Sequence, residues 1–169
     1  MPDLLDFYRE LRPDCEGRMF SEILSWNDDG LEAVHDFIQW LFPLPEASRF
    51  NPDAPLLTSD DIAAFHREPR LQANLARSFD RILCFLGLQR TDDKVAEGPT
   101  FEHRRRNVWD CPNHNWLRIS RILRSLTLLG RDREALMLFD WVEKEYLRRR
   151  FPIPSETYAF WKTAVGKVN

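Results

Sequence analysis

HDFIQWLFP, residues 35–43, is the stretch that decides how the chain folds. Stepping about 100° per residue from Leu31, the apolar side chains Ala33, Val34, Phe37, Ile38, Trp40, Leu41 and Phe42 cover well over half of a helix circumference. So wide an apolar arc does not suit a surface helix; it calls for neighbours on most sides. Glu32, His35, Asp36 and Gln39 fill the remaining wedge as one polar seam, and Pro43 stops the helix.

A second stretch, NHNWLRISRILRSLTLL at residues 113–129, has the same character. Trp116, Ile119, Ile122, Leu123, Leu126 and Leu129 define a wide apolar face, with Arg118, Arg121 and Arg124 opposite. Leu117 and Leu128 fall inside the arginine arc, so that face is expected to be partly covered, and Arg121 then needs a carboxylate or carbonyl partner. The two polar seams are expected to meet, Arg118 or Arg121 reaching Glu32, Asp36 or the Gln39 amide. The predicted fold is all-α: a single compact multi-helix domain over residues 1–169, an irregular array of seven or eight helices around these two buried central ones. Every long apolar pattern has the helical period and none alternates over a strand's length, so sheet is expected to be negligible.

Composition agrees. A chain of 169 residues, 43% hydrophobic and 12% aromatic, holds enough apolar surface for one substantial core and is short for two. Its net charge of -3 does not mark a nucleic-acid binder, but the charge is unevenly placed. Residues 1–62 carry 14 acidic against 4 basic side chains, whereas residues 104–150 carry 12 basic against 6 acidic. Either the two halves face each other, which is the expectation, or the basic half meets an acidic partner. Cys15, Cys84 and Cys111 are odd in number and widely spaced, which argues against a disulfide scaffold. The acidic, amphipathic start MPDLLDFYREL is unlike a signal peptide, and no run of about 18 apolar residues exists. A reducing, cytoplasmic setting is expected.

Along the chain, Pro2 suits the first turn of a short helix bearing Leu4, Phe7, Tyr8 and Leu11. A second helix carries Phe20, Ile23 and Leu24, and Asn27-Asp28-Asp29-Gly30 breaks it. That polar run matches a calcium loop only in part, with Asp36 at the position where a Glu is needed, and suits the start of the next helix better. Pro43, Pro45, Pro52 and Pro55 keep the following connection extended, with Phe50 tucked beneath it. Thr58 and Asp61 form a capping box, Pro69 opens a long helix, and Gly87 marks its end. Residues 91–115 show no periodicity and are read as a long connection. It holds the run Arg104, Arg105, Arg106, and also Cys111 and His114, which lack two further ligands for a zinc site. After Gly130 a helix buries Ala135, Leu138, Phe139, Val142 and Tyr146 and ends in Arg148, Arg149 and Arg150, where cations suit the C-terminal dipole; Ser155 then caps a last helix.

Four stretches in order, DLLDFYREL, HDFIQWLFP, LLTSDDIAAF and HNWLRISRIL, resemble the conserved N-terminal region of the opioid growth factor receptor family. The resemblance spans nearly the whole chain. It implies a helical domain found in receptors for the pentapeptide methionine enkephalin that act in growth regulation. It transfers no ligand-contacting residue to this sequence.

The function expected is a non-catalytic ligand-binding or signalling module that takes a short peptide, or a peptide segment of a partner protein. Candidate contacts are Trp40, Trp109, His114 and Trp116 lining an aromatic cleft, with Arg104, Arg105 and Arg106 at its rim. The alternative is a protein-protein or nucleic-acid interaction module using the basic segment 104–150, although nucleic acid is disfavoured by the overall acidity. No catalytic residue is assigned, because the chain has no glycine-rich phosphate loop, no G-x-S-x-G elbow and no H-E-x-x-H. No cofactor and no metal are expected.

Overall fold

A computed structural model of the chain describes residues 3–49 and 51–167. Pro2 and Phe50, both given roles above, lie outside the described residues. Among those described there are ten helices and one small two-stranded sheet. The chain clusters into two compact units, one ending at Phe79 and the other beginning at Asp80.

The first unit is built from α1 (Leu4–Tyr8), α2 (Phe20–Ser25), α3 (Asp28–Ala33), α4 (Phe37–Leu41), α5 (Ser59–Arg67) and the first part of α6 (Pro69–Phe85). Its core is aromatic. Phe7, Tyr8, Phe20, Phe37, Trp40 and Phe65 are all buried, and Tyr8 meets Phe65 edge-on at 4.8 Å between ring centroids. The Tyr8 hydroxyl donates to the Leu41 carbonyl, and Asn74 of α6 donates to the Tyr8 carbonyl at 2.6 Å. These two bonds match the Tyr8 hydroxyl, the Tyr8 carbonyl and the Asn74 amide inside an otherwise apolar core, whereas the Trp40 Nε1 and the Ser78 Oγ are buried there without a hydrogen bond.

The helix expected through residues 31–42 is instead two short ones. Val34, extended at ψ 133°, ends α3, and the chain restarts at Asp36. This resolves the all-round apolar pattern: α4 is little more than one turn, and all five of its residues, Gln39 included, are buried. The proline-rich connection is closed by a bridge between Leu44 and Leu56, with the Leu57 N–H on the Leu44 carbonyl at 3.1 Å. Thr58 and Asp61 cap α5 reciprocally, as their spacing requires.

The second unit holds the end of α6, strands β1 (Leu88–Arg90) and β2 (Val95–Glu97), then α7 (Phe101–Val108), α8 (Asn115–Leu128), α9 (Asp132–Leu147) and α10 (Ser155–Ala164). Gly87, at φ +80°, stops α6 as expected and turns the chain into β1. The strands pair antiparallel with Leu88 opposite Glu97 and Arg90 opposite Val95. Residues 91–115 are therefore not one connection; they contain half of a hairpin and a helix. Each strand is three residues long, too short for an alternating pattern to register. Helix α7 buries Phe101, Arg104 and Val108, so the middle of its inward stripe is an arginine and its period is disguised.

Helices α8, α9 and α10 pack together around an aromatic core in which three indole N–H groups find carbonyls. Trp109 donates to Leu86 at 2.9 Å, Trp116 to Val108 at 2.7 Å and Trp161 to Trp116 at 3.1 Å. Leu147 ends α9 in a Schellman turn, the Arg150 N–H reaching the Glu145 carbonyl at 3.2 Å and Arg149 taking φ 53°. Ser155 is the first residue of α10 and makes no side-chain cap.

Candidate functional site

The aromatic residues expected to line a cleft are core. Trp40 is 1%, Trp109 0% and Trp116 3% exposed. Trp40 lies among the rings of the first unit, 5.1 Å from Phe7. Trp109 packs on Trp141 at 4.8 Å and Trp116 on Trp161 at 6.3 Å. His114 is half-buried at the N-cap of α8. The arginine run is divided by the helical repeat. Arg104 is buried, donating to the Phe85 carbonyl at 2.7 Å with its guanidinium 4.5 Å from the Phe85 ring centroid. Arg105 is half-buried and pairs with Asp110 and Glu102, and of the three only Arg106 is exposed.

Of the polar seams, Asp36, Gln39 and Arg118 have partners inside their own units. Asp36, expected to receive Arg118 or Arg121, is held by Arg18 through two hydrogen bonds of 2.9 and 3.1 Å. The same guanidinium grips the buried Asp14 at 2.7 Å. Burial opposes the charge on Arg18, but its hydrogen bonds to Asp36 and Asp14 outweigh that and hold its pKa above the ordinary value. Gln39 makes long contacts to Ser48 and Asn51 at 3.5 and 3.4 Å. Glu32 is half-buried and His35 exposed. Arg118 donates to Asn115 at 3.1 Å and lies 5.6 Å from the Phe85 ring, while Arg121 is half-buried.

Concave surface is found elsewhere, in the second unit on either side of Arg90. One cleft, of about 400 Å³, is lined by Asp80 and Cys84 of α6, by all three residues of β1, and by Pro99 and Thr100. The other, of about 380 Å³, is lined by Arg90, Thr91, Asp92, Arg133, Glu134 and Met137. Both volumes are in the range of about 300–1,000 Å³ common to small-ligand sites.

Local chemistry positions this cluster. The tight turn at residues 91–94 is closed by the Thr91 N–H on the Lys94 carbonyl at 2.8 Å. Strand β1 then aims the Arg90 guanidinium at two carboxylates. It binds Asp80 in fork fashion at 2.9 and 2.8 Å and reaches Glu134 of α9 at 3.2 Å. Glu134 also accepts from Arg131, and Arg133 donates to the Asp92 carbonyl. On the other strand Glu97 takes Arg150, which is shared with Glu145; the hydrogen bond to Glu97 is the main cause of the raised Arg150 pKa. Such a lattice keeps charged groups of both signs in set positions at the rim of each cleft, which suits recognition of a ligand bearing both signs.

Asp80, Arg90, Arg133 and Glu134 were not singled out from the sequence. The i, i+3 spacing of Arg131 and Glu134 is visible there, but the long-range link from Arg90 to Asp80 and Glu134 depends on a hairpin too short to read.

These features define a helical module whose charged clefts flank a small hairpin, and comparison with known proteins names its kind. The chain belongs to the family of the opioid growth factor receptor (OGFr) conserved region, whose model matches residues 3–157. It is 35% identical over 156 residues to the opioid growth factor receptor of Homo sapiens, covering 88% of this chain and 23% of that protein. The corresponding receptor of Mus musculus is 34% identical over 156 residues, 88% of this chain and 24% of the relative. The opioid growth factor receptor-like protein 1 of Xenopus tropicalis is 36% identical over 132 residues, 75% of this chain and 25% of the relative. The chain thus spans about a quarter of the length of these curated relatives. No solved structure matches it. Among the described residues no helix is long and apolar enough to cross a membrane.

Proposed function

We propose that the chain is a non-catalytic recognition module, acting in signalling in the cytoplasm, that takes a short peptide or a peptide segment of a partner protein in the paired clefts beside Arg90. The observation that carries this reading is the sharing of Arg90 between two clefts of ligand size, with carboxylates and guanidinium groups around both. A short peptide brings an ammonium, a carboxylate and a few side chains, and such a surface has a group for each. The relatives' name, receptor, points the same way.

The reading moves the ligand away from the buried rings of Trp40, Trp109 and Trp116. The alternative use of the basic segment draws less support, because Arg104 is buried and Arg105 and Arg150 are engaged by carboxylates. Isothermal titration with methionine enkephalin and a scrambled pentapeptide tests the proposal. The expected result is selective binding near micromolar affinity, about -8 kcal/mol, that is lost in Arg90→Ala. Equal or absent heats remove enkephalin as the ligand, and a random-peptide display that enriches nothing removes the peptide reading. Binding to DNA or RNA that falls steeply with salt favours the alternative.

A further inference from the structure

Trp40 is 1% exposed, yet its indole N–H has no hydrogen-bond acceptor, whereas Trp109, Trp116 and Trp161 each donate theirs to a carbonyl. A buried donor left this way carries its desolvation cost in full, and redox chemistry is among the recognised reasons for tolerating one. The polar group that the indole faces is the thiol of Cys15. A thiol sulfur is a weak acceptor, so the contact leaves the N–H largely unsatisfied.

Cys15 is exposed, and the turn that carries it is tied down on both sides. The Asp14 N–H donates to the Arg18 carbonyl at 2.9 Å, and the Asp14 carboxylate accepts from the N–H groups of Glu16 and Arg18, both at 2.9 Å. Arg18 closes the turn on Asp14 at 2.7 Å and links it to Asp36, the N-cap of the helix that bears Trp40. Sulfur and indole are thus held by one braced assembly, with the sulfur open to small reagents and the donor behind it. Burial, with the carboxylates of Asp14 and Glu16, holds the Cys15 thiol above its ordinary pKa, although Trp40 and Arg18 pull it down. The site is therefore not built for a fast thiolate. It suits a product with oxygen on the sulfur, because that oxygen is a strong acceptor beside an unsatisfied donor.

We propose that Cys15 is a site of reversible oxidation, at which hydrogen peroxide converts the thiol to a sulfenic acid whose oxygen accepts the Trp40 indole N–H. The sulfur attacks one peroxide oxygen, the S–O bond forms as the O–O bond breaks, and the departing hydroxide takes the thiol proton and leaves as water. Sulfur is oxidised by two electrons and the peroxide is reduced. Two equivalents of a small thiol reverse the change: the first forms a mixed disulfide with loss of water, and the second releases the Cys15 thiol. The hydrogen bond prolongs the life of the sulfenic acid at this cysteine.

The test treats the full chain with hydrogen peroxide, removes the excess with catalase and adds dimedone after increasing delays. Peptide mass mapping reads the trapped fraction at Cys15, Cys84 and Cys111. Trp40→Phe keeps a ring and removes the N–H; it is expected to shorten the Cys15 lifetime about fivefold, the factor that one net hydrogen bond supplies, and to leave the other two lifetimes unchanged. Since Trp40 belongs to the core, a second readout keeps it intact. In proton–nitrogen NMR the Trp40 indole resonance should move downfield, and its exchange with solvent should slow, when the parent chain is oxidised, with neither change in Cys15→Ala. A Cys15 sulfenic acid that decays equally fast in the parent and in Trp40→Phe, or an indole resonance unmoved by its formation, overturns the proposal.

Discussion

Replacing Gly87 by Ala tests how β1 and its clefts are launched from α6. Gly87 has φ +80°, a region that costs an L-residue roughly 1–2 kcal/mol. A Cβ there would also stand 2.9 Å from the Phe101 Cα and 3.1 Å from the Arg104 Cβ. The first neighbour is backbone of α7, and Arg104 is buried with its guanidinium against Phe85, so neither yields as a mobile side-chain tip would. Overpacking of this kind adds about 1–3 kcal/mol. Gly87→Ala should therefore lose about 2–5 kcal/mol, and at about 2–4 °C per kcal/mol for a chain of this size thermal unfolding should fall by roughly 4–20 °C. Gly17 is the control, since it has the same φ of +80° and nothing within 4 Å of an added Cβ. Gly17→Ala should lose only the conformational cost, roughly 1–2 kcal/mol. Calorimetry of the two variants separates the effects. Equal losses would refute the claim that α7 closes on Gly87, and a stable Gly87→Ala would refute the packing of the whole junction.

Three further outcomes are expected. Arg18→Met should cost about 3–5 kcal/mol in denaturant unfolding because it strands the buried Asp14 carboxylate, whereas Arg9→Met, which frees the exposed Glu68, should leave the unfolding midpoint close to that of the parent chain. Tyr158 donates to Glu143 at 2.6 Å, and that bond, with some burial, pushes its pKa up to about 12. The folded state thus favours the neutral phenol, so its small contribution is complete below about pH 10 and fades as pH rises toward the folded value; ultraviolet titration should find Glu143→Gln shifting this tyrosine downward. Arg149, a non-glycine residue at φ 53° in the Schellman turn after α9, should accept glycine with a gain of about 0.5–1 kcal/mol, read as a raised unfolding midpoint.

The parts of the fold that sequence announces are those in which the periodic signal and the burial coincide. Helix α8 buries Trp116, Ile119, Ile122, Leu123 and Leu126, as its pattern requires, and the chemistry of Pro69, Gly87 and the Thr58–Asp61 box sets element ends where it should. Periodicity misleads at residues 31–42 because an apolar arc wider than half a helix has two physical solutions. One is a long helix surrounded by others; the other is a short turn sunk in the core, and the chain adopts the second, with Asp36 drawn off by Arg18. It is blind at α7 for the opposite reason, since the side chain at the centre of the buried stripe is a guanidinium. Arg104 is tolerated there because the Phe85 carbonyl and ring accept it, a pairing across 19 residues that no local pattern encodes.

The candidate site was illegible on the same principle. Large rings in a sequence suggest a ligand cleft and a hydrophobic core equally well, and here Trp109, Trp116 and Trp161 spend their indole N–H groups on internal carbonyls, as core residues do. The groups that do line concave surface are ordinary charged residues, made distinctive only by convergence. Asp80 comes from α6, Arg90 from β1 and Glu134 from α9, and a three-residue strand is what brings them together. A cluster of this origin depends on hairpin register: a slip of one residue would turn Arg90 to the other face and open both clefts' charged rims at once. The hairpin is held against that slip by Arg90 on one strand and by Arg150 on Glu97 of the other, so the ion pairs at the rims of the clefts also hold the strands that form them.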